Sequence, residues 1–225
     1  MSKQQDNIRY KACVDSIVVL RLLPDSLTNE DRTDVLDHRF AKFRTNMAMV
    51  EDIRRINSED QWNQFKPLDE LEQLDEASSL HRKSFKYIRG EKVSESSYNP
   101  DSEIVCTQGI HYFKTVEAAL SWYERHHKTR CNAKANGAYR FYSHDGSIFC
   151  LTEVENGAIV KIENYNDIGQ LSSICHYKYL CLNGEFIELY DNGQVMISGT
   201  YAHNAKVGTW YTYSRDGQLM SKEHY

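Results

Sequence analysis

The chain has 225 residues, of which 40% are hydrophobic, and a formal net charge of −5. That is enough apolar material for packed cores and too much for a disordered chain, and the length accommodates one or two domains. The charge is spread over the chain, 20 basic against 22 acidic residues in 1–131 and 7 against 10 in 132–225. Neither half has the basic face that phosphate neutralisation needs, which argues against nucleic acid as the main partner.

The opening MSKQQDNIRY is polar and lacks an apolar h-region, so residues 1–10 read as a flexible tail and not as a secretory signal. CVDSIVVLRLL (13–23) is rich in β-branched residues, stops at Pro24 and is expected to form one buried strand. After a polar loop, DHRFAKFRTNMAMVEDIRRI (37–56) reads as strand. Residues 57–84 are polar and insertion-like, and Pro67 followed by Leu68, Leu71 and Leu74 predicts a short amphipathic helix. SFKYIRGEKV (84–93) reads as strand, turn at Gly90, strand; IVCTQGIHYF (104–113) reads as a strand interrupted by a bulge at Gly109.

TVEAALSWYERHH carries the clearest helix. Thr115 is placed as N-cap, Glu117 suits the positive end of the dipole, and Val116, Ala119, Leu120 and Tyr123 recur at helical spacing. Trp122 falls off that face and is expected either under the insertion or against the segment that follows. KTRCNAKANG (128–137) is the expected boundary, dividing the chain into a tail (1–10), an α+β domain (11–130) and a repeat region (131–225). No apolar run approaches the ~18 residues of a membrane span. The six cysteines (13, 106, 131, 150, 175 and 181) are irregularly spaced and read as the reduced thiols of a cytoplasmic protein.

The last 89 residues are one unit written four times. GAYRFYSHDG, GEFIELYDNG and GTWYTYSRDG open on Gly137, Gly184 and Gly208 and close on Gly146, Gly193 and Gly217. A fourth copy, VKIENYNDIG, has Val160 in place of the first glycine and closes on Gly169. The closing glycines are 23, 24 and 24 residues apart, a period that marks a repeat architecture. Each copy reads as a hairpin: an aromatic strand with a Tyr (Tyr142, Tyr165, Tyr190, Tyr213), a turn ending in Gly, and a second strand starting at Ile148, Leu171, Val195 and Leu219. Ten of the 15 tyrosines lie here, and with Phe186 and Trp210 they are expected to be ladders that hold stacked hairpins together.

This pattern resembles MORN repeats, in the variant form G-x-[W/F/Y]-x-x-Y-x-x-[D/N]-G. The resemblance implies protein interaction and, in some members, phospholipid binding; the acidity of this region argues against an anionic lipid surface. The segment 85–123, with Tyr87, Gly90, Pro100–Asp101, Cys106, Gly109–His111, Phe113 and the helix, resembles a domain of unknown function from giant DNA viruses of protists and, more distantly, phages. KFRTNMAMVEDI (42–53) resembles its upstream block. The resemblance implies a giant-virus context, in host cytoplasm or virion, and transfers no chemistry.

Three residues of the first half are candidates for chemistry: Cys106 and His111 as a thiol–imidazole pair, with Tyr87 beside them. On a regular strand, residues five apart face opposite sides, so the pair requires the Gly109 bulge. The plainer reading packs Cys106 as a small hydrophobe and sets His111 on a loop carbonyl. Cys106, His111, His127 and Cys131 are four zinc-ligand types at the wrong spacing for a usual site. No phosphate loop or hydrolase signature is present, and no cofactor or metal is called for.

The expected architecture is therefore an α+β domain followed by an elongated antiparallel sheet of hairpins. The expected function is a non-enzymatic interaction scaffold with a protein partner, with self-association through the terminal hairpin edge at Tyr225 as a further option. The alternatives are a small enzyme or ligand binder centred on Cys106 and His111, and an antitoxin-like partner protein.

Overall fold

The computed structural model describes residues 7–56, 67–126 and 136–225. Contacts divide the chain into two compact units, residues 1–128 with 142–147 and residues 129–141 with 148–225. The architecture is mostly β, with one α-helix among the described residues.

The first unit is built on a six-stranded sheet. Its strands are β1 (Ile8–Cys13), β2 (Ser16–Arg21), β3 (Lys42–Thr45), β4 (Met47–Arg55), β7 (Lys92–Ser94) and β8 (Ile110–Phe113), in the spatial order β3-β8-β1-β2-β4-β7. A separate pair is formed by β5 (Glu76–Ser78) and β6 (Lys86–Ile88). Two expectations change at the start of the chain. A strand begins at Ile8, inside the stretch read as a tail, and the apolar run 13–23 is split by a Val14–Asp15 turn, with Asp15 at φ +45°. Arg9 and Lys11 look solvated in the sequence but are buried: Arg9 pairs with Glu30 at 2.8 Å and Lys11 donates to the His111 carbonyl at 3.0 Å.

Alternation sends successive side chains to opposite faces. Val18, Leu20, Phe43, Val50, Ile53, Tyr87 and Tyr112 form a core on one face, while Ala12, Ile17 and Phe113 meet the helix α1 (Val116–His126) on the other through Ala118, Ala119 and Tyr123. Each fully buried large side chain contributes ~1.5–3 kcal/mol. Thr115 caps the helix, its hydroxyl accepting the Ala118 N–H at 3.3 Å. The helix expected after Pro67 is reduced to a single 3-10 turn, Leu68–Glu70. Beyond it the chain runs extended beside β4, with Arg55 N–H on the Glu72 carbonyl and Leu74 N–H on that of Ile53. Sheet pairing thus satisfies the backbone that a helix would have satisfied internally. Gly109 precedes β8 instead of bulging within it, and 104–109 is loop.

The second architecture is an eight-stranded antiparallel meander of β9 (Gly137–Tyr142), β10 (Ile148–Glu155), β11 (Ala158–Tyr165), β12 (Leu171–Lys178), β13 (Cys181–Leu189), β14 (Val195–Ala202), β15 (Ala205–Tyr213) and β16 (Leu219–His224). The tip of its first hairpin, 142–147, belongs to the first unit. All four repeats close alike: the closing glycine N–H bonds back three residues, and the residue there bonds forward to the residue after the glycine, as in Asn166–Gly169 (2.9 Å) and Asn166–Gln170 (2.8 Å). This is a type I turn followed by a left-handed glycine. The second strands start at Ile148, Leu171, Val195 and Leu219, as the repeat phase predicts.

Phase also corrects one residue. Tyr190 occupies the turn position held by Ser143, Asn166 and Ser214, whereas Leu189 stands where the other copies have Tyr142, Tyr165 and Tyr213. Tyr190 instead donates its hydroxyl to the Tyr213 carbonyl at 2.9 Å, joining the third and fourth turns.

Candidate functional site

A cleft of about 740 Å³ opens in the first unit. Its walls come from β1 (Lys11), β3 (Lys42), the 79–87 segment, the 106–109 loop, β8 (His111, Phe113), α1 (Trp122) and the hairpin tip (His144). The loop is held from beneath by Arg44, which is fully buried on β3. Its guanidinium donates to the carbonyls of Asn99, Asp101 and Ile104 and lies over the Tyr98 ring at 4.8 Å. Asn29 fixes the same loop through the Ser102 carbonyl at 3.2 Å. The hairpin tip is held as firmly: Lys42 N–H and the Arg32 guanidinium both donate to the His144 carbonyl, and Tyr142 stacks on Phe40 at 4.2 Å.

These supports bring Cys106, Lys42, Trp122 and His144 together. The Cys106 sulfur is 3.8 Å from Lys42 Nζ and 3.9 Å from His144 Nε2; Lys42 Nζ also sits 4.0 Å above the Trp122 ring. Cys106 is exposed to solvent, so it is not packed as a small hydrophobe.

His111 does not meet Cys106. Its Nε2 lies 2.9 Å from the Val105 carbonyl, and burial, followed by the nearby Lys42 and Lys11 ammonium groups, pushes its imidazole down to about 3. It therefore stays neutral and donates to that carbonyl. Tyr87 is buried, and burial raises its phenol. It lines the cleft with its ring under Lys11 Nζ at 5.5 Å. Of the four zinc-ligand types, His127 and Cys131 lie outside the described residues; among the described residues no group of three or more metal-ligating side chains converges.

In the repeat sheet, the aromatics form a ladder on one face. Trp210 packs on Phe186 at 5.7 Å, on Tyr201 at 4.9 Å and on Tyr225 at 6.4 Å, and its indole N–H donates to the Thr200 carbonyl at 3.2 Å. Trp210 is only 4% exposed. Two-residue turns link successive hairpins at Asn156–Gly157, Tyr179–Leu180 and His203–Asn204, all with both residues at positive φ. Tyr179 and Leu180 are 78% and 77% exposed.

Residues 1–119 match the profile of a family of unknown function, DUF5758. The chain belongs to that family. In this DUF5758 protein, residues 182–203 and 206–225 also match the MORN repeat variant. No curated protein matches the chain.

Sequence reasoning on the DUF5758 portion misses His144. It lies in the first repeat's turn, where the other copies carry Asp167, Asp191 and Arg215, so it reads as an ordinary polar turn residue. It also misses Lys42, Arg44 and Lys11, because a charged residue on a strand is normally taken as solvent-facing. Gly199 escapes notice in the repeats because it lies outside the Gly-x-aromatic phase, yet it forms the seat of Trp210. The repeat glycines 146, 169, 193 and 217 occupy the left-handed turn positions, while Gly137, Gly184 and Gly208 lie in β9, β13 and β15.

Proposed function

We propose that this protein is a non-enzymatic docking module whose repeat sheet binds a protein partner, in the giant-virus setting that the resemblance of the first half implies. The MORN-variant match supports an interaction role. The observation that carries the finer reading is the Tyr179–Leu180 turn. The aromatics that look most like a binding motif are consumed in the ladder. This turn instead displays two large apolar side chains, in a backbone geometry that favours Asn and Gly. A bulky residue held at positive φ costs ~1–2 kcal/mol. The equivalent turns avoid most of that cost with Asn156–Gly157 and His203–Asn204. Retaining Tyr and Leu there is accounted for by a use in binding.

A protein surface fits this turn better than a lipid surface. Residues 132–225 carry 7 basic against 10 acidic residues, and anionic membranes select clusters of Lys and Arg. Comparative affinity capture with the full chain tests the reading: replacing Tyr179 and Leu180 by Asn and Gly is expected to release the partner. Flotation with phosphatidylserine vesicles tests the lipid alternative, which this reading expects to fail.

A further inference from the structure

We propose that the cleft of the DUF5758 unit binds a small organic anion, its charged group facing Lys11 and Lys42 and its flat apolar part lying along Trp122 and Phe85. This proposal stands or falls independently of the docking reading.

Three observations converge on this ligand. The first is shape: about 740 Å³ is the size of a metabolite pocket and far too small for a folded partner. The second is charge. Lys11, Lys42 and Arg82 line the cleft together with His81, His111 and His144, against one lining carboxylate, Glu95. Glu95 is held by Arg82 at 2.6 Å. Lys11 and Lys42 are 9% and 5% exposed, so two of the ammonium groups that line the cleft are kept largely out of water. Lys11 Nζ is held by the His111 carbonyl and Lys42 Nζ by the Trp122 ring, both uncharged partners, and the attraction of a bound anion to the two ammonium groups is strengthened by the low local dielectric. The third is surface chemistry: Trp122, Phe85, Phe113 and Tyr87 add apolar wall to the same concavity, which a bare inorganic oxyanion would leave unused.

The state of the neighbouring groups agrees with this. Burial, then Lys42 and Lys11, lowers both the His111 and the His81 imidazoles, as expected where positive charge is concentrated. Burial also lowers the Lys11 ammonium, and an anion beside it would favour its charged form.

Phenyl phosphate, inorganic phosphate and phenol are the probes. Titration calorimetry on the full chain should show saturable one-to-one binding of phenyl phosphate. Inorganic phosphate should bind at least about tenfold more weakly, and phenol not at all. Lys11→Met and Lys42→Met should each weaken phenyl phosphate at least about tenfold, since each removes a desolvated charge partner. Should either variant fail to fold, the unmodified protein still tests the proposal. Cys106 lies 3.8 Å from Lys42 Nζ, so saturating phenyl phosphate should slow its alkylation by iodoacetamide, read by mass spectrometry. Three results would each overturn the proposal: no saturable binding at millimolar phenyl phosphate, equal affinity for inorganic phosphate, or binding that leaves Cys106 alkylation unchanged.

Discussion

Trp210 lies directly against the bare Cα of Gly199: a methyl group built there would come closer than 3.0 Å to three atoms of the indole. The two residues face each other across β14 and β15, and the ring can enter the ladder only because Gly199 has no side chain. In an ordinary strand, replacing Gly by Ala is favourable by ~0.5–1 kcal/mol. Here the sign should reverse, with Gly199→Ala costing ~1–3 kcal/mol through overpacking. Trp210→Ala should cost ~3–5 kcal/mol. Urea unfolding of the two variants and the double variant checks this: once the ring is gone, Gly199→Ala should no longer destabilise.

The turn glycines should not be equivalent. Gly146 and Gly193 share a left-handed backbone, at φ +88° and +81°. A Cβ on Gly193 meets nothing within 4 Å, whereas one on Gly146 would press into the Asp37 carbonyl and the Ala41 amide. Gly193→Ala should therefore cost only the ~1–2 kcal/mol of the unfavourable backbone. Gly146→Ala should cost more, and it should weaken the packing of the 142–147 tip in the first unit. Hydrogen exchange at the Lys42 amide, which is bonded to the His144 carbonyl at 3.0 Å, reports that loss.

Stability should fall in two acid steps. The His111 imidazole is lowered to about 3 by burial and the Lys42 and Lys11 charges, and His81 is lowered by the same causes. Below the ordinary imidazole range, and down to about 3 for His111, the unfolded chain binds more protons than the folded one. Stability is then fully present above pH ~6.5 and is lost as pH drops below it. A second loss begins below the ordinary Glu range. Glu30 is held lower by bonds from Arg9, Lys114 and Tyr112, which together outweigh the opposing effect of burial. His111→Gln, which keeps a donor for the Val105 carbonyl, should flatten the first step and leave the second in place. Denaturant midpoints from pH 7.5 to about 2.5 check both.

Most of the repeat sheet is legible in the sequence, because the same short-range chemistry recurs four times. Each closing glycine fixes a turn, and each turn fixes where the next strand starts, so Ile148, Leu171, Val195 and Leu219 can be placed from spacing alone. Tyr190 is misplaced because a tyrosine one residue late still looks like a repeat tyrosine; counting back from the closing Gly193, and the turn hydrogen bonds, both put Leu189 in that place. The first unit is less legible because its strands carry buried charge. Arg9, Lys11, Lys42 and Arg44 are satisfied by partners far away in sequence, and no local pattern announces such partners. The cleft is half visible for the same reason. Cys106 and His111 stand out as a nearby pair, yet the imidazole that reaches Cys106 is His144, 38 residues further on.

Docking of a protein through the Tyr179–Leu180 turn is tested at its source by replacing that pair with Asn and Gly. Both new residues suit the positive φ values of +52° and +64°, so thermal unfolding should show a sheet at least as stable as before, by up to ~1–2 kcal/mol. Quantitative affinity capture, run in parallel on the two proteins, should show the partners of the unmodified chain lost from the variant. A variant that is equally well folded and retains the same partners at the same abundance would rule this docking mode out.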